Sequence, residues 1–486
     1  MKSLFNILLI GAATMPGSNA FASSTKPNLL IIHTDEHNFR TLGCYRDQLP
    51  EDQAFVWGKG VKVDTPHIDS IARDGALFTS FYAASPVCTP SRASFVTGLY
   101  PVATGSARND MPLHDNMVTF AEILKDGGYA TAYIGKWHLD GDAKPGWAPA
   151  RKFGFEDNRY MFNRGHWKLF EETGDGPKVG GSYNPENERY RYDISTATDK
   201  SFATDFLADK AIEIIDRDKE KPFCLMLSLP DPHGPNSVRE PYDSMYSHLK
   251  FEEPRTLRAA LKSSPKWSSV TGKNSAQTLK QEQMADYFGM VKCIDDNVGK
   301  ILKYLKDHDL EKNTIVVFTS DHGDSMGEHA KHNKGTPWET SAGIPFIIKY
   351  PGQIKPGKLV HTAYSTVDFA PTVLGIMGVD SGREFHGLNG SSELLGPECA
   401  STGDRIVYIT NAGSRWVAAV DDRYKLVISP SEKPWLFDLE KDPDELINFY
   451  RNPDYKEIGE RLKNSLVTQM KAFKEPALKK NNLKFD

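Results

Sequence analysis

The stretch NLLIIHTDE at residues 28–36 gives the clearest indication of the fold class. Residues 28–32 are almost continuously apolar, which is typical of a strand buried on both faces of a parallel sheet. Two carboxylates, Asp35 and Glu36, follow directly after it. In an open α/β sheet, ligands bind beyond the carboxyl ends of the strands. The stretch therefore predicts a buried strand that brings acidic groups to a binding edge.

Apolar runs continue to alternate with helix-length segments through most of the chain. We predict further strands at 76–82, 129–134, 223–229, 313–318 and 344–348. We predict helices at 68–74, 118–126, 201–216, 279–307 and 369–377. This alternation indicates an α/β fold, in which helices cover both faces of a mainly parallel sheet.

The last part of the chain has a different pattern. We predict short strands at 405–410, 416–420 and 424–428 and a final helix at 455–471. Asp421 and Asp422 lie at a tight turn between the last two strands. These features indicate a small antiparallel sheet with one helix. We place the boundary in the Gly- and Ser-rich stretch 381–402, which gives a catalytic domain at 23–395 and a C-terminal subdomain at 396–486.

The N-terminus is typical of a secretory signal peptide. Lys2 provides a positive start, residues 4–13 form a short apolar stretch, and AFA at 20–22 ends in small residues. A buried N-terminal helix is the alternative. The apolar stretch is too short to span a bilayer, and no later segment is long and apolar enough. We therefore expect residues 1–22 to be removed from a secreted or periplasmic protein that has no membrane span.

Composition narrows the classes of ligand and the chemistry of the cysteines. The 486-residue chain has a net charge of -5 and no basic runs, which argues against nucleic-acid binding. An anionic substrate would need local positive charge in a pocket. The cysteine count of five is odd, so at least one thiol is unpaired, and Cys88 is our candidate. Cys224 lies in a buried-strand pattern and is expected to be inert.

A second acidic strand end occurs in VVFTSDHGD at 316–324. Asp321 and His322 follow this strand as Asp35 and Glu36 follow the first. If the two ends meet in space, they can hold a cation, and oxygen ligands suit Ca²⁺ or Mg²⁺ best. Acids that cap helices or form turns are the alternative.

The stretch CTPSR at 88–92 combines a thiol with helix-start signals. Pro90 suits the first turn of a helix, so Cys88 would lie at the N-terminus. There the helix dipole and free N–H groups favour an anion and an activated nucleophile. Arg92 can reach an anionic group. From these residues alone, a reactive thiol and a buried structural thiol are equally open.

Basic and imidazole groups follow the other predicted strands. GKWH at 135–138 follows the third strand, and PHGP at 232–235 follows the fourth. His329, His332 and Lys334 come after the second acidic segment. A single histidine is more often structural, but several at one sheet edge would converge into a site.

Together these motifs resemble the formylglycine-dependent sulfatases of the alkaline-phosphatase superfamily. CTPSR matches the maturation signature C-x-P-S-R of that family. The remaining motifs occur in the family's order and are DE at 35–36, GKWH at 135–138, PHGP at 232–235, DHG at 321–323, KG at 334–335 and WLFDLEKDP at 435–443. The resemblance covers about residues 27–475, and the chain is similar to bacterial sulfatases that act on carrageenan-type galactans.

The resemblance implies a modified nucleophile. A formylglycine-generating enzyme would oxidise the side chain of Cys88 to an aldehyde. One hydroxyl of its hydrate would attack sulfur and displace the alcohol, and the second would be deprotonated and expel sulfate. Plain Cys or Ser lacks this second hydroxyl, which explains the need for the modification.

The resemblance also implies a role for each motif residue. The Ca²⁺ ligands would be Asp35, Glu36, Asp321, His322 and the modified Cys88. Arg92 and Lys136 would hold the hydrate, Asp321 would activate the attacking hydroxyl, His138 would deprotonate the second hydroxyl, His233 would protonate the leaving alcohol, and Lys334 would bind the sulfate. Asp324 and His329 would have supporting roles. Glu36 stands where many relatives have Asp or Gln, and His322 where many have Asn. Histidine is an unusual ligand for a hard cation.

Residues 140–199 are expected to contact substrate because long connections in α/β proteins usually carry function. They contain Trp147, Phe153, Phe155, Tyr160, Phe162, Trp167, Tyr183, Arg151, Arg159, Arg164 and His166. Aromatic faces stack on sugars, and arginines pair with sulfates. The alternative is that half or more of these aromatic residues belong to the core. We expect a sulfated polysaccharide or oligosaccharide, with a carrageenan-like galactan favoured. A phosphate or phosphonate monoester hydrolase of the same superfamily and a non-catalytic sugar-binding relative are the other candidates.

Overall fold

The structure is a computed structural model that describes residues 26–184, 189–191, 193–268, 278–396, 405–411, 415–480 and 482–485. The side chains of 182–183 and 189–191 are not among the described features. The predicted signal peptide, Cys399 and part of the predicted domain boundary lie outside these ranges. Among the described residues, no helix is both long and apolar enough to cross a bilayer.

The strands and helices within the described ranges are as follows. The strands are β1 (Asn28–Asp35), β2 (Ala76–Phe78), β3 (Phe81–Tyr82), β4 (Ala130–Lys136), β5 (Met161–Phe162), β6 (Phe170–Thr173), β7 (Gly176–Val179), β8 (Ser182–Asn184), β9 (Arg189–Arg191), β10 (Phe223–Pro232), β11 (Thr314–Ser320), β12 (Phe346–Lys349), β13 (Lys358–Val360), β14 (Tyr364–Ser365), β15 (Val407–Thr410), β16 (Val417–Val420), β17 (Tyr424–Ile428) and β18 (Trp435–Asp438). The α-helices are α1 (Gly43–Arg46), α2 (Glu51–Ala54), α3 (Pro66–Arg73), α4 (Cys88–Thr97), α5 (Pro101–Thr104), α6 (Phe120–Asp126), α7 (Ala203–Asp218), α8 (Tyr242–Met245), α9 (Arg255–Lys262), α10 (Gln281–Asp307), α11 (Glu339–Ala342), α12 (Phe369–Ile376), α13 (Ser391–Leu395), α14 (Lys456–Ala472) and α15 (Pro476–Lys480).

The central sheet has the strand order β13-β2-β12-β11-β1-β10-β4-β5. Strand β1 pairs in parallel with both β10 and β11, and β4 continues the parallel arrangement beside β10. Strand β12 runs antiparallel to β11 and to β2. The predicted α/β fold with a mainly parallel sheet is confirmed.

The side chains of β1 alternate between two hydrophobic cores. Leu29 and Ile31 pack into the core that includes residues of α4, α6 and α12. Leu30 and Ile32 pack into the core on the opposite face, with residues of α3, α7 and α10. All four are fully buried, which is why the strand reads as a continuous apolar run.

The single strand predicted at 76–82 is wrong. Strand β2 ends at Phe78, and the chain bends before β3, which pairs with β14 outside the central sheet. At the bend, the Thr79 N–H donates to Val360 O at 3.0 Å and Ser80 O accepts from the Tyr364 N–H at 2.9 Å. These long-range bonds redirect a segment whose local sequence is uniformly strand-like.

The C-terminal sheet is antiparallel with the order β15-β16-β17-β18, and α14 packs against it. The turn predicted at Asp421 is confirmed, because the Asp421 N–H donates to Tyr424 O at 3.0 Å. The fourth strand, β18, was not predicted, since its residues had only been assigned to the tail motif. The domain boundary at 395/396 stays a prediction.

Candidate active site

The two predicted acidic strand ends meet in space. Strands β1 and β11 are neighbours, with Thr34 opposite Ser320, so Asp35 and Asp321 leave the same edge of the sheet. The Glu36 N–H donates to Asp321 Oδ1 at 3.1 Å, and Tyr287 Oη donates to Glu36 O at 2.8 Å. Both aspartates are fully buried. The geometry that we inferred from the carboxyl ends of the strands is therefore present.

Cys88 is the first residue of α4, as Pro90 predicted. Its thiol is buried, with 2% of the residue exposed, and Sγ lies 3.2 Å from His322 Nε2 and 3.9 Å from Asp35 Oδ1. Ligand atoms of Asp35, Cys88, Asp321 and His322 all lie within 4.8 Å of one another. This group brings together the nucleophile position and two acidic strand ends.

Two buried cations surround the aspartates. The Arg92 guanidinium donates from Nε to Asp321 Oδ2 at 2.9 Å, and its Nη2 lies 3.4 Å from Asp35 Oδ2. Lys136 Nζ forms an ion pair with Asp35 and lies 2.7 Å from His166 Nε2. The side chains of Arg92 and Lys136 thus contact the carboxylates directly.

The carboxylate of Glu36 contacts His233 and Lys334. Its Oε2 lies 2.9 Å from His233 Nε2, and its Oε1 lies 3.4 Å from Lys334 Nζ. Lys334 Nζ is also 2.7 Å from His233 Nε2, and the His233 ring stacks on His166 at 3.5 Å. The role of Glu36 as a metal ligand stays a prediction, because its carboxylate is paired with His233 and Lys334.

A cavity of about 620 Å³ includes Cys88 in its lining. The predicted residues His138, His233 and Lys334 line it as well. Further lining residues that had no predicted catalytic role are Asn109, Asp110, Lys144, Arg164, His166 and Trp167. The groups at the ends of β4 and β10 and in the segment after β11 therefore converge on one cavity, as expected.

The charged surroundings favour an anionic group at position 88. Burial acts to raise the pKa of the Cys88 thiol, but Lys136 and Lys334 outweigh it and hold that pKa well below its usual value. Burial would lower the pKa of His322, yet the Asp321 carboxylate raises it to about 9. Electropositive surroundings activate thiols, so they favour the interpretation of Cys88 as a reactive residue, which stays a prediction. Cys224, in contrast, is completely buried in β10 as predicted.

Other residues singled out in the sequence lie away from the cavity lining. His329 stacks on Trp338 at 4.0 Å, and neither it nor His332 belongs to the lining. Asp324 Oδ1 accepts from the N–H groups of Met326 and Asn333 at 2.9 Å each, and so shapes the turn before Lys334. Burial, with the charge of Glu36, raises the pKa of Asp324 to about 6.

Most aromatic residues expected to stack on substrate belong to the hydrophobic core. Buried members are Phe153, Phe155, Tyr160, Phe162 and Trp167, and Trp147 is partly buried. Only Trp167 among them lines the cavity, whereas Tyr183 has no described side chain. Arg164 and His166 line it too, while Arg151 pairs with Glu122 and Arg159 lies over Tyr160. Within 140–199, the described residues that line the cavity are Lys144 and residues 164–167, so the predicted substrate contact narrows to these.

Sequence reasoning missed Asp110 and the placement of His166. Asp110 Oδ1 lies 3.1 Å from His138 Nε2, and its Oδ2 lies 3.0 Å from Arg164 Nη2. His166 is sandwiched between the Lys136 ammonium and the His233 ring. Both residues are in loops, and no strand-end pattern marked them.

Comparison with known proteins agrees with this geometry. The family model described as sulfatase matches residues 27–379, which is most of the chain. The chain belongs to the sulfatase family. It is thus a sulfuric ester hydrolase of the alkaline-phosphatase superfamily, as its motifs indicated. A second model, described as N-sulphoglucosamine sulphohydrolase, C-terminal, matches residues 327–472.

Individual sulfatases match nearly the whole chain. The ulvan-active sulfatase of Formosa agariphila is 31% identical over 451 residues, which cover 90% of this chain and 80% of that protein. The N-acetylglucosamine-6-O-sulfatase of Bacteroides thetaiotaomicron is 26% identical, with 98% and 92% covered. A structure in complex with its substrate D-glucosamine-2-N,6-O-disulfate has a TM-score of 0.72 at 24% identity, covering 93% of this sulfatase and 99% of that chain. This structural likeness supports the fold.

Proposed function

We propose that this sulfatase removes sulfate esters from a sulfated polysaccharide or oligosaccharide, using a formylglycine made from Cys88 and a bound Ca²⁺. The observation that carries the proposal is the position of Cys88. It begins α4, lines the cavity and lies among the ligand atoms of Asp35, Asp321 and His322. A nucleophile, a candidate cation site and an anion-binding helix start therefore coincide.

The donor atoms of this group fit a divalent cation. Asp35 and Asp321 provide buried carboxylate oxygens, which are the ligands that hard cations prefer. His322 provides an imidazole nitrogen and Cys88 provides the position of the modified side chain. We propose Ca²⁺ on the strength of the two carboxylates, with Glu36 joining them when the ion is bound.

The side chains of this chain would then have the following roles. When present, the formylglycine hydrate supplies the attacking oxygen and Ca²⁺ polarises the sulfate oxygens. Asp321 accepts the proton of the attacking hydroxyl, and Arg92 and Lys136 orient the groups at position 88. His233 donates a proton to the leaving alcohol, Lys334 binds the sulfate, and His138 accepts a proton from the second hydroxyl.

The lining of the cavity supports a glycan substrate. Trp167 contributes to the lining although most of its side chain is buried, and Lys144 Nζ lies 5.3 Å from the centre of its ring. Arg164 adds a guanidinium that can pair with a sulfate. Relatives named for activity on ulvan and on N-acetylglucosamine-6-sulfate support a sulfated glycan in general. A carrageenan-like galactan is our specific candidate.

The experiment is sulfate release from a panel of defined sulfated oligosaccharides. The protein is coexpressed with a formylglycine-generating enzyme, and mass spectrometry measures conversion of Cys88. We expect release from at least one glycan, loss of turnover in Cys88→Ser with binding retained, and full conversion in the control Cys44→Ser. Chelation should abolish release, and Ca²⁺ should restore it better than Mg²⁺.

Two outcomes would contradict the proposal. Turnover of an aryl phosphate that exceeds turnover of the aryl sulfate by orders of magnitude would indicate a phosphate or phosphonate monoester hydrolase. Unconverted Cys88 with glycan binding but no sulfate release would indicate a sugar-binding relative. Within the panel, release from ulvan or glucosamine sulfates but not from carrageenan oligosaccharides would reject only the carrageenan assignment.

We also propose that the protein is exported and acts outside the cytoplasm. The features of residues 1–22 support this, and a polymeric sulfated glycan is an extracellular substrate. N-terminal sequencing of the mature protein should begin after about Ala22. A mature protein that retains Met1 and remains in the cytoplasm would contradict it.

A further inference from the structure

We propose that Asp110 is a positioning residue that orients His138 and fixes its imidazole in the tautomer with the proton on Nε2. The proposal rests on the proposed function, in which His138 accepts a proton during expulsion of sulfate. It assigns a role to a loop carboxylate that no motif of the sequence marks. The reasons are the contacts of Asp110, the unpaired nitrogen of His138 and the hydrogen bonds that join His138 and Asn109 to α4.

The contacts of Asp110 determine which nitrogen carries the proton. Its Oδ1 lies 3.1 Å from His138 Nε2, and its Oδ2 lies 3.0 Å from Arg164 Nη2. A carboxylate only accepts hydrogen bonds, so Nε2 must be the donor in this pair. The ion pair with the guanidinium of Arg164 limits rotation of the Asp110 carboxylate about its bond to Cβ. The neutral imidazole therefore has its lone pair on Nδ1.

His138 Nδ1 is buried and has no hydrogen-bond partner among the described residues. Buried ring nitrogens are normally satisfied, so an unpaired one at an active site needs an explanation. His138 lines the same cavity as Cys88, and a group that takes a proton from position 88 must have an available lone pair. Asp110 keeps this lone pair on Nδ1, because its carboxylate accepts the hydrogen bond from the proton on Nε2.

Hydrogen bonds from Thr89 hold His138 and Asn109, which precedes Asp110, beside Cys88. Thr89 Oγ1 donates to His138 O at 2.9 Å, and the Thr89 N–H donates to Asn109 Oδ1 at 3.1 Å. Thr89 follows Cys88 in the first turn of α4. The backbone of His138 has a φ of 61°, a left-handed conformation that is strained for a residue with a side chain. These two hydrogen bonds fix the backbone of His138 and the side chain of Asn109, the neighbour of Asp110, relative to the start of α4.

The test compares Asp110→Asn with Asp110→Glu and with Asp142→Asn in the matured full-length enzyme. Asn cannot accept from both His138 and Arg164, and when its oxygen faces Arg164 its amide N–H groups face Nε2. That arrangement moves the imidazole proton to Nδ1. Asp142 is an exposed carboxylate in the loop after β4, and its change should leave activity as it is.

We expect Asp110→Asn to lower kcat about 100-fold, with KM within about twofold of wild type. Asp110→Glu should restore part of the kcat, because it keeps the acceptor. In parallel, nitrogen-15 NMR of histidine-labelled protein, assigned with His138→Gln, should show Nε2–H in wild type and Nδ1–H in Asp110→Asn. Circular dichroism confirms that the variants remain folded.

Each outcome separates this inference from the proposed function. Unchanged kcat and an unchanged tautomer in Asp110→Asn would overturn the positioning role. A raised KM with unchanged kcat would overturn it too, since Asp110 would then bind substrate itself. If wild type releases no sulfate from any glycan while the tautomer still depends on Asp110, the proposed function fails and the positioning geometry stands.

Discussion

Arg92 joins several elements of the candidate active site through one buried guanidinium. It is 2% exposed, and besides contacting Asp35 and Asp321, its Nη1 donates to Lys136 O at 2.7 Å and to Ser228 Oγ at 2.8 Å. One guanidinium thus connects α4 to the ends of β1 and β4, to the middle of β10 and to the residue that follows β11. Such a buried fork of donors cannot be replaced by lysine without losing contacts.

We predict that Arg92→Ala lowers the free energy of unfolding by about 3–5 kcal/mol, because two buried carboxylates lose a partner. Sulfate release should fall below detection. The matched control is Arg73→Ala, which removes an exposed ion pair with Asp74 and should change stability by less than about 0.5 kcal/mol. Urea denaturation measures both. Equal effects of the two substitutions would show that the Arg92 contacts do not hold the site together.

For single residues, the sequence predicts a place in the site when the residue belongs to a recognisable local motif. Cys88 and Arg92 lie in one short motif, and the start of α4 places them as expected. Asp110 could not be predicted, since its local sequence is that of an ordinary polar turn. Its significance arises only from contacts with His138 and Arg164, which lie 28 and 54 positions away along the chain.

Among the strands, β4 requires a glycine just before Lys136 and His138, two residues of the candidate active site. Gly135 has a φ of 95°, and a Cβ there would lie 1.9 Å from Ser228 O in the neighbouring strand β10. Lys136 follows directly, and His138 comes two residues later. Only glycine therefore permits the close approach of the two strands beside the site.

We predict that Gly135→Ala forces β4 and β10 apart and abolishes sulfate release, with a loss of several kcal/mol in unfolding free energy. Gly141→Ala is the control, because its φ of 68° is equally unfavourable for alanine but no atom lies within 4 Å of the added Cβ. The control should cost about 1 kcal/mol and keep activity. Full activity in Gly135→Ala would contradict the close approach.

Elements whose burial is complete were the easiest to predict. Strands β1, β10 and β11 were located to within a few residues at their starts, because helices cover both of their faces. The short strands β5 to β9 were not predicted, since two to four residues carry too little periodicity. Their pairing depends on long-range partners, as for Met161 opposite Gly135.

On the scale of the whole molecule, the C-terminal sheet supports the active site. Lys425 in β17 is fully buried and forms ion pairs with Glu339 at 2.5 Å and Glu445 at 2.8 Å. Glu339 begins α11, in which Ser341 O accepts from the Gly323 N–H at 3.0 Å. Trp416 Nε1 also donates to Gly335 O at 3.2 Å, next to Lys334. Contacts that begin in the C-terminal sheet therefore reach Gly323 and Gly335, at the two ends of the segment that contains Lys334.

The buried carboxyl group of Glu445, beside Lys425 and Glu339, makes the free energy of unfolding depend on pH. Burial, with the charge of Glu339, raises the pKa of Glu445 to about 7 despite the attraction of Lys425. Because this exceeds the value of about 4.5 for an ordinary glutamate, the folded state binds the proton more tightly. The stabilisation of the folded state by protonated Glu445 is therefore complete below about pH 4.5, and it is lost as the pH rises through about 7.

Glu445→Gln mimics the protonated form. We predict that its free energy of unfolding, relative to that of wild type, is about 2 kcal/mol higher at pH 8.5 than at pH 5.5. Urea denaturation at the two pH values measures the difference. Glu457→Gln, a change of an exposed glutamate in α14, should follow wild type at both. A constant offset between Glu445→Gln and wild type at all pH values would contradict the assignment.

The pairing of β1 with β11 joins Glu36 to Asp321 across 285 positions of the chain. During translation, position 88 leaves the ribosome long before the strand that closes the sheet over it. Once the protein has folded, only 2% of Cys88 is accessible, so the formylglycine-generating enzyme that we propose would have to act on the growing or newly released polypeptide. On that proposal the order of synthesis provides the interval for maturation, and substitutions that accelerate folding of the finished chain would shorten that interval and leave more molecules with an unconverted thiol.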